Sequence, residues 1–429
     1  MPPPSPNPPL EPPAPAHRAT GSDLPPPAVE RRRSELPLFT SPFVEVRRCQ
    51  RHLIAELRAP ARVLSTCHVN GGLRGELRHL VNHQSCEPVK HQERFELITS
   101  LGQDGYHRLV CGELGLDPAQ TALMGTAATM QYLGLVTHRW DDLAVTAIVT
   151  AGVTGNAGSA GDLAHYDERD GAWVRTSAVA ADAKEPGTHG GTINTLLLLS
   201  SPLSDSALAR AVVTMTEGKT SALLELAVGS KGSWRPATGT GTDQFAIAAP
   251  REGAPRRTWT GQHTKAGELI GRAVRDATLE ALRWQNGLEP SYTRSLFHAL
   301  GRFGLTEEAF KLAQERLLSE REFQLLKGNW KPVVYEPQLA AAAYAFAAVL
   351  DRVLAGTLGT SSARESLLHQ AALMAAGLAG RPDDFADFRR ALIPQLPSEL
   401  GPAPDSAITA AVELAQPAVA LGWQRKWSA

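Results

Sequence analysis

The segment ATGTGTDQFAIAAP, residues 237–250, places glycines, hydroxyls and a carboxylate directly before an apolar run. Glycine lets backbone approach a ligand closely, and the polar side chains supply hydrogen bonds or a proton acceptor. The alternative for a Gly/Thr run alone is a turn that enters a strand. We expect Asp243 to act in catalysis and five residues before it to bind substrate: Thr238, Gly239, Thr240, Gly241 and Thr242.

Two further glycine-rich segments adjoin predicted buried strands. TAGVTGNAGSAGDLAHYDE, residues 150–168, leaves a strand, and this is where open α/β sheets usually bind ligands. A flexible crossing loop is the alternative. GGTINTLLLL, residues 190–199, enters a strand, and alternation places residues 192 and 194 on one face of it. The candidates from these segments are catalytic Asn194 and the substrate-binding residues Asn156, Asp162 and Thr192.

GQHTKAGELIGRAV, residues 261–274, places His263 at the predicted start of a helix. A histidine pKa lies near neutral pH, so His263 is the strongest single candidate for proton transfer. Lys265 is a substrate-binding candidate, with a solvated helix residue as the alternative. Gly267 and Gly271, four residues apart, would let this helix approach another backbone closely.

The motif TEGKT, residues 216–220, resembles the end of a phosphate-binding loop. Such a loop needs a glycine where this chain has Val213, and the motif lies within an amphipathic helical pattern. Nucleotide binding is therefore disfavoured. Glu217 remains a catalytic candidate that could activate a nucleophile, and Lys219 remains a substrate-binding candidate.

HLVNHQSCEPVKH, residues 79–91, carries His79, His83, Cys86 and His91 at a spacing that could wrap a zinc ion. The pair His79 and His83 would share a helical face. A proline interrupts the set, and neither CxxC nor HExxH accompanies it. Ordinary histidines are therefore favoured, and no metal ligand is assigned.

The 429-residue chain is long enough for two folded units. Its formal net charge of −1 argues against the basic footprint of a nucleic-acid or membrane-surface protein. The four cysteines show no CxxC spacing, which fits a reducing cytosol, and no apolar run is long enough to span a membrane. We therefore expect a soluble, cytoplasmic protein without nucleic-acid or membrane partners.

Composition divides the chain into three parts. Residues 1–42 are Pro-rich, as in a disordered tail; 43–289 mix strand and helix patterns; 290–429 are Ala/Leu-rich with helical spacing. The expected fold class is mixed α/β (α+β), a layered sheet-and-helix core domain with an all-helical C-terminal extension. Strands are predicted at 62–69, 143–153, 191–201 and 243–249, and helices at 204–229 and 265–286.

Five segments, in this order, resemble the adenosylcobinamide amidohydrolase family: VLSTCHVNGG, VTAGVTGNAGSAGD, GGTINTLLLLSSPLSDSALARAVVTMTEGKTSALLELAVGS, ATGTGTDQFAIA and GQHTKAGELIGRAV. They cover most of residues 60–287, and the helical part that follows resembles the extension of longer bacterial members. The resemblance implies hydrolysis of the amide that links the aminopropanol arm to the corrin ring of adenosylcobinamide. The product, adenosylcobyric acid, re-enters cobalamin synthesis. The substrate itself carries cobalt, and no other cofactor is assigned.

Amide hydrolysis needs an activated nucleophile, an oxyanion site and a proton for the leaving amine. The chain has no GxSxG elbow, so water or a threonine such as Thr240 or Thr242 is the expected nucleophile. One of the three candidate bases named above would activate it, and Asn194 with the backbone of 238–242 would hold the oxyanion. A non-catalytic corrinoid-binding or delivery protein on the same scaffold is the alternative. The helical extension could support a homo-oligomer.

Overall fold

The computed structural model describes residues 37–86, 91–170, 172–176, 191–396 and 404–427. The tail predicted for residues 1–42 lies outside the described part up to residue 36. Its last residues differ from the prediction, because Pro37–Thr40 form a strand that pairs with Val44–Cys49. The folded domain therefore includes residues that the sequence analysis assigned to the tail.

In the described residues the strands end at Pro250, and every longer element from Lys265 onward is helical. The strands are β1 (Pro37–Thr40), β2 (Val44–Cys49), β3 (His52–Leu57), β4 (Ala61–Ser65), β5 (Gly72–Arg74), β6 (His79–Gln84), β7 (Thr121–Thr126), β8 (Gly134–Trp140), β9 (Leu143–Ala151), β10 (Ala157–Gly158), β11 (Tyr166–Arg169), β12 (Ala172–Arg175), β13 (Ile193–Leu199), β14 (Gly239–Thr240) and β15 (Gln244–Pro250). The helices are α1 (His91–Leu114), α2 (Asp205–Glu225), α3 (Lys265–Asn286), α4 (Pro290–Thr293), α5 (Leu296–Leu300), α6 (Glu307–Leu317), α7 (Glu320–Gly328), α8 (Trp330–Val334), α9 (Pro337–Leu354), α10 (Thr360–Ala379), α11 (Phe385–Leu392), α12 (Pro404–Glu413) and α13 (Ala415–Lys426).

Two large sheets form the centre of the N-terminal part in the described residues. One has six strands in the order β5-β4-β15-β13-β9-β8, and the other has five in the order β1-β2-β3-β6-β7. Strand β13 runs parallel to β15 and antiparallel to β9, which places Asn194 beside Gln244 on one side and Thr150 on the other. Short pairs join β10 to β14 and β11 to β12.

Strand β13, INTLLLL, is buried along its whole length, as its nearly continuous apolar sequence requires. Its alternate residues face two cores: Leu197 packs with α2 and α3, whereas Leu196 packs with the five-stranded sheet. The other face of that second sheet packs against α1 through residues such as Val110. The layers therefore run helix pair, six-stranded sheet, five-stranded sheet, helix.

The termini of α2 and α3 follow ordinary capping chemistry. Ser204 caps α2 and Thr264 caps α3, each by accepting a backbone N–H of the first turn, and Gly287 ends α3 with a left-handed φ of 66°. Helix α3 has the predicted bounds. Helix α2 ends before the predicted Gly229, because Ala227 adopts a φ of 52° and turns the chain away from the helix axis.

The helices from α5 onward pack around their own apolar core, in which Phe303, Phe346 and Trp423 are fully buried. The mixed α/β class with an all-helical C-terminal region is thereby confirmed. No helix in the described part of the chain combines the length and the apolar character that crossing a membrane requires.

Candidate functional site

Three distant segments meet where β13 and β15 begin. Asn156 donates from Nδ2 to the Gly191 carbonyl at 3.0 Å and to Thr242 Oγ1 at 3.2 Å. The hydroxyl oxygens of Thr192 and Thr242 are 2.6 Å apart, and Thr242 also donates to the Gly191 carbonyl at 3.0 Å. The three glycine-rich segments therefore converge, although residue 190 lies outside the described part.

Asp243 holds this convergence together. Its Oδ1 accepts from the Ile193 N–H at 2.9 Å and from Thr240 Oγ1 at 2.5 Å. Its Oδ2 accepts from Lys219 Nζ at 2.5 Å and from the Thr240 N–H at 3.1 Å. A Cβ on Gly239 would lie 2.6 Å from Asp243 Oδ2, so glycine keeps room for the ion pair. With four donors, one of them the charged Lys219, this carboxylate has little capacity left to take a substrate proton.

Three residues of the TEGKT motif have structural partners. Gly218 lets α2 cross α3 closely, because a Cβ there would lie 2.7 Å from the Gly271 carbonyl oxygen. Lys219 forms the ion pair just described, with only 14% of its side chain exposed. Thr220 donates to the Thr238 carbonyl at 3.0 Å. The motif therefore serves helix packing and loop anchoring inside α2.

Asp162 braces a neighbouring loop. Its oxygens accept from the Ser159 N–H at 2.8 Å and from the hydroxyls of Ser230 and Ser233 at 2.5 and 2.6 Å. Burial raises the pKa of Asp162, but the hydrogen bonds from these three serines outweigh burial and hold the pKa below its ordinary value. Thr238 likewise accepts a backbone N–H at 2.8 Å. Both residues support the loops, and neither lines the cavity beside them.

A cavity of about 300 Å³ opens between α1 and the ends of the two large sheets. We call it the inter-sheet cavity. Amide and hydroxyl side chains form one wall, and imidazole and phenol side chains form another. Its lining residues are His68, Val69, His83, Ser85, Cys86, Ile98, Gln103, Tyr106, His107, Leu123, Gly125, Thr126, Ala127, Asn156, Gly191, Thr192, Thr242 and Gln244.

The wall of imidazole and phenol side chains was not predicted from the sequence. His83 Nε2 lies 2.7 Å from the Tyr106 hydroxyl, and His52 stacks on His83 with ring centroids 4.6 Å apart. His107 is 3% exposed, and its buried Nε2 has no hydrogen-bond partner among the described residues. Burial is the largest cause that lowers the pKa of His107 below 6.5. The ring is therefore neutral at neutral pH, and Nε2 can accept a proton when Nδ1 carries the hydrogen.

A buried polar bridge joins the two large sheets beside the cavity. Asn194 donates from Nδ2 to Asn82 Oδ1 at 2.8 Å and to the Gly125 carbonyl at 3.0 Å, while Asn82 donates to Thr150 Oγ1 at 2.8 Å. Gln244 Oε1 accepts the Gly125 N–H at 2.9 Å. This contact fixes the orientation of the Gln244 amide, so its NH₂ group is left to donate at the cavity. Asn194 is fully buried and lies behind the lining residues.

Three predicted residues lie away from this cavity. Glu217 is exposed and accepts from Gln262 Nε2 at 2.5 Å, and His263 is exposed before the cap of α3. Lys265 pairs with Glu268 at 2.7 Å on the same exposed surface. None of the three lines the inter-sheet cavity. Their catalytic or binding roles stay predictions to which the cavity adds no support.

The zinc alternative also changes in the structure. His79 and His83 lie on strand β6, whereas the sequence predicted that they share a face of a helix. The side chain of His91 lies outside the described ones. In the described part of the chain, no group of three or more histidine, cysteine, aspartate or glutamate side chains is placed to hold a metal ion.

Comparison with known proteins places the chain in a family. Residues 39–290 match the family model described as adenosylcobinamide amidohydrolase. The uncharacterized protein MJ1613 of Methanocaldococcus jannaschii is 33% identical over 239 residues, which cover 55% of this chain and 88% of that protein. The crystal structure of the PH0078 protein from Pyrococcus horikoshii OT3 aligns with a TM-score of 0.28 and 9% identity, over 58% of this chain and 83% of that one. That likeness is too weak to carry an argument. On the family match and the identity to MJ1613, the chain belongs to the adenosylcobinamide amidohydrolase family.

Proposed function

We propose that this protein hydrolyses the amide between the aminopropanol arm and the corrin ring of adenosylcobinamide, which gives adenosylcobyric acid and free aminopropanol. The observation that carries the proposal is the inter-sheet cavity. It lies entirely within the family-matched residues and combines a neutral buried imidazole, His107, with an oriented amide donor, Gln244. Acyl transfer to water needs these two capacities, a proton acceptor and an oxyanion donor.

In the proposed reaction, His107 Nε2 accepts a proton from water as the water oxygen attacks the amide carbon. The Gln244 NH₂ group donates to the carbonyl oxygen as it gains negative charge. The C–N bond then breaks, and the proton held by His107 passes to the aminopropanol nitrogen. Asn156, Thr192 and Thr242 form the polar wall that contacts the arm. Asp243 and Asn194 are positioning residues that hold this wall and Gly125.

The direct test is to incubate the full chain with adenosylcobinamide and to measure released aminopropanol by mass spectrometry. We expect release by the wild-type protein. Gln244→Glu keeps an acceptor for the Gly125 N–H but loses the neutral donor, so kcat should fall by about 100-fold or more. Gln262→Glu changes an exposed glutamine outside the cavity and should leave kcat within about threefold.

Two outcomes contradict the proposal. Corrinoid binding without any aminopropanol release by the wild type would favour the non-catalytic binding or delivery protein. Release that Gln244→Glu and Gln262→Glu leave equally unaffected would remove the inter-sheet cavity from the reaction.

A further inference from the structure

A second hollow, of about 990 Å³, lies where the C-terminal helices meet the sheet domain. We call it the interdomain groove. The sheet domain contributes the turn at residues 227–234, and the extension contributes residues from α4, α5 and α8. The inter-sheet cavity, by contrast, contains no residue beyond Gln244.

The groove presents aromatic side chains. Trp234 enters from the sheet domain, and Tyr292, Phe297, Trp330 and Tyr335 enter from the extension. Phe297 and Trp330 stack at a centroid distance of 6.1 Å, while Tyr292 is 49% exposed. Such rings offer large, rigid contact surfaces to a flat apolar ligand. The exposed Lys231 and Lys331 add N–H donors at the margin, suited to carboxamide oxygens.

One loop borders both hollows. Thr154 lines the interdomain groove and Asn156 lines the inter-sheet cavity. Two residues of chain span at most about 7 Å, so the two hollows approach each other within one short segment. Asn286, the last residue of α3, fixes this loop: its Oδ1 accepts the Val153 N–H at 3.1 Å, and its Nδ2 donates to Thr154 Oγ1 at 2.6 Å.

The two volumes suit different parts of one substrate. Small-molecule sites span about 300–1,000 Å³. At about 300 Å³, the inter-sheet cavity suits a short arm, whereas about 990 Å³ suits a macrocycle. The relative MJ1613 is covered to 88% by only 55% of this chain, so it has no room for most of the extension. The groove therefore depends on a part of this chain most of which MJ1613 lacks.

We infer that the interdomain groove binds the corrin ring of the substrate while the aminopropanol arm reaches past Asn156 into the inter-sheet cavity. This inference rests on the proposed function for its ligand. The groove supplies binding to the part of the substrate that does not react. Loss of such binding lowers kcat/KM.

The test fills the groove without removing any contact. Gly301 lines the groove with helical φ and ψ of −61° and −36°, and a Cβ there meets no atom within 4 Å. Gly328, at the end of α7, is equally open but lies outside both hollows. Gly301→Phe and Gly328→Phe are therefore matched variants. Each is measured by equilibrium dialysis with cobinamide, read from corrin absorbance, and by steady-state turnover of adenosylcobinamide.

We expect Gly301→Phe to weaken cobinamide binding and to lower kcat/KM by about tenfold or more, because the ring would no longer be held beside the reaction centre. Gly328→Phe should match the wild type in both measurements. If Gly301→Phe leaves Kd and kcat/KM unchanged, the corrin ring does not bind in the interdomain groove. Wild-type turnover would in that case still support the proposed function. The reverse result is also possible: the wild type shows no turnover, and only Gly301→Phe binds cobinamide more weakly. That result supports corrin binding in the groove and contradicts the proposed hydrolysis. If the wild type does not bind cobinamide, the inference that the groove binds the corrin ring is wrong.

Discussion

At the scale of single residues, the structure separates polar groups that hold loops from polar groups that face the cavity. Asp243 accepts hydrogen bonds from four donors within 3.1 Å. A residue that the sequence indicates as a candidate base therefore holds the surrounding segments together. His107 has the opposite character, since the residue lines the cavity and its buried Nε2 has no partner in the described residues. Free acceptors of this kind are what proton transfer requires.

The first prediction sets His107 against His263. In His107→Asn, kcat for aminopropanol release should fall by about 100-fold or more, because the proton acceptor is lost. His263→Asn should change kcat by less than about threefold, because the side chain is exposed outside the cavity. Single-turnover measurement with both variants decides between the two histidines. A large loss in His263→Asn with little loss in His107→Asn would restore the role predicted from the sequence.

The pH dependence follows from the same residue. Burial lowers the pKa of His107 below 6.5, and in the proposed reaction this residue works as a base only when it is deprotonated. Activity is thus present above this lowered pKa and is lost as the pH falls through it. The acid limb of kcat/KM should therefore lie below pH 6.5 in the wild type, and His107→Asn should lose that limb.

Part of this site can be recognised in the sequence from its residue types. The other residues of the site carry no local sequence signal. Asn156, Thr192 and Thr242 line the cavity and stand in glycine-rich segments whose composition is visible. Tyr106 and His107 lie on α1 just after its kink at Gly102 (φ 65°, ψ 173°), and nothing in their neighbourhood in the sequence shows which cavity they face. Burial of a histidine depends on packing between α1 and β6, which sequence spacing does not encode.

At the scale of elements, the crossing of α2 and α3 determines where Lys219 can reach. Two glycines make the crossing, but their roles differ. A Cβ at Gly218 would lie 2.7 Å from the Gly271 carbonyl oxygen, whereas a Cβ at Gly271 would meet only the Thr214 methyl at 3.9 Å. The spacing of Gly267 and Gly271 predicts that both allow a close approach of α3 to another backbone. In the structure Gly267 instead makes room for the Gly261 carbonyl of its own preceding loop.

The second prediction compares alanine at these two crossing positions. Gly218→Ala should lower the free energy of unfolding by about 1–3 kcal/mol, because backbone atoms must move apart to admit the methyl group. Gly271→Ala should be neutral or stabilising by up to about 1 kcal/mol, since alanine is the better helix former. Urea unfolding followed by circular dichroism measures both. Equal stability of the two variants would contradict the close crossing at Gly218.

Four strands and two helices could be placed from the sequence because capping residues and apolar periodicity are local. The bounds of α3 match because Thr264 and Gly287 are strong boundary signals. Strand β6 was misread, since residues four apart share a face in a strand as well as on a helix. Helix α2 was drawn too long because a left-handed Ala227 cannot be anticipated without its surroundings.

At the scale of the molecule, the extension has its own apolar core but is tied to the sheet domain by Arg302. This guanidinium donates to the Trp234 carbonyl at 2.5 Å and to Asp351 at 2.6 Å, with 11% of its side chain exposed. The class and the helical extension were predicted from composition. The layer order was not, because pairings such as Ser65 with Ala246 join residues far apart in the chain.

The third prediction concerns this tie between the two parts. Arg302→Met should lower the free energy of unfolding by about 1–3 kcal/mol, because a buried carbonyl and Asp351 lose their donor. Arg390→Met is the control: its pair with Asp387 is 76% and 64% exposed, and such pairs contribute under about 1 kcal/mol. Tryptophan fluorescence during urea unfolding reads both. Identical midpoints for the two variants would argue against Arg302 as a tie.

The short loop that borders both hollows sets the distance between the interdomain groove and the inter-sheet cavity. A corrin carries several amide-bearing arms around its rim, and the proposed reaction cleaves only the one that bears aminopropanol. In the inferred binding mode, the ring lies on one side of Thr154 and the scissile position on the other side of Asn156, so only an arm of matching length and attachment point delivers its carbonyl to the reaction centre. Distance then selects the arm, in addition to the substituent that marks its amide nitrogen.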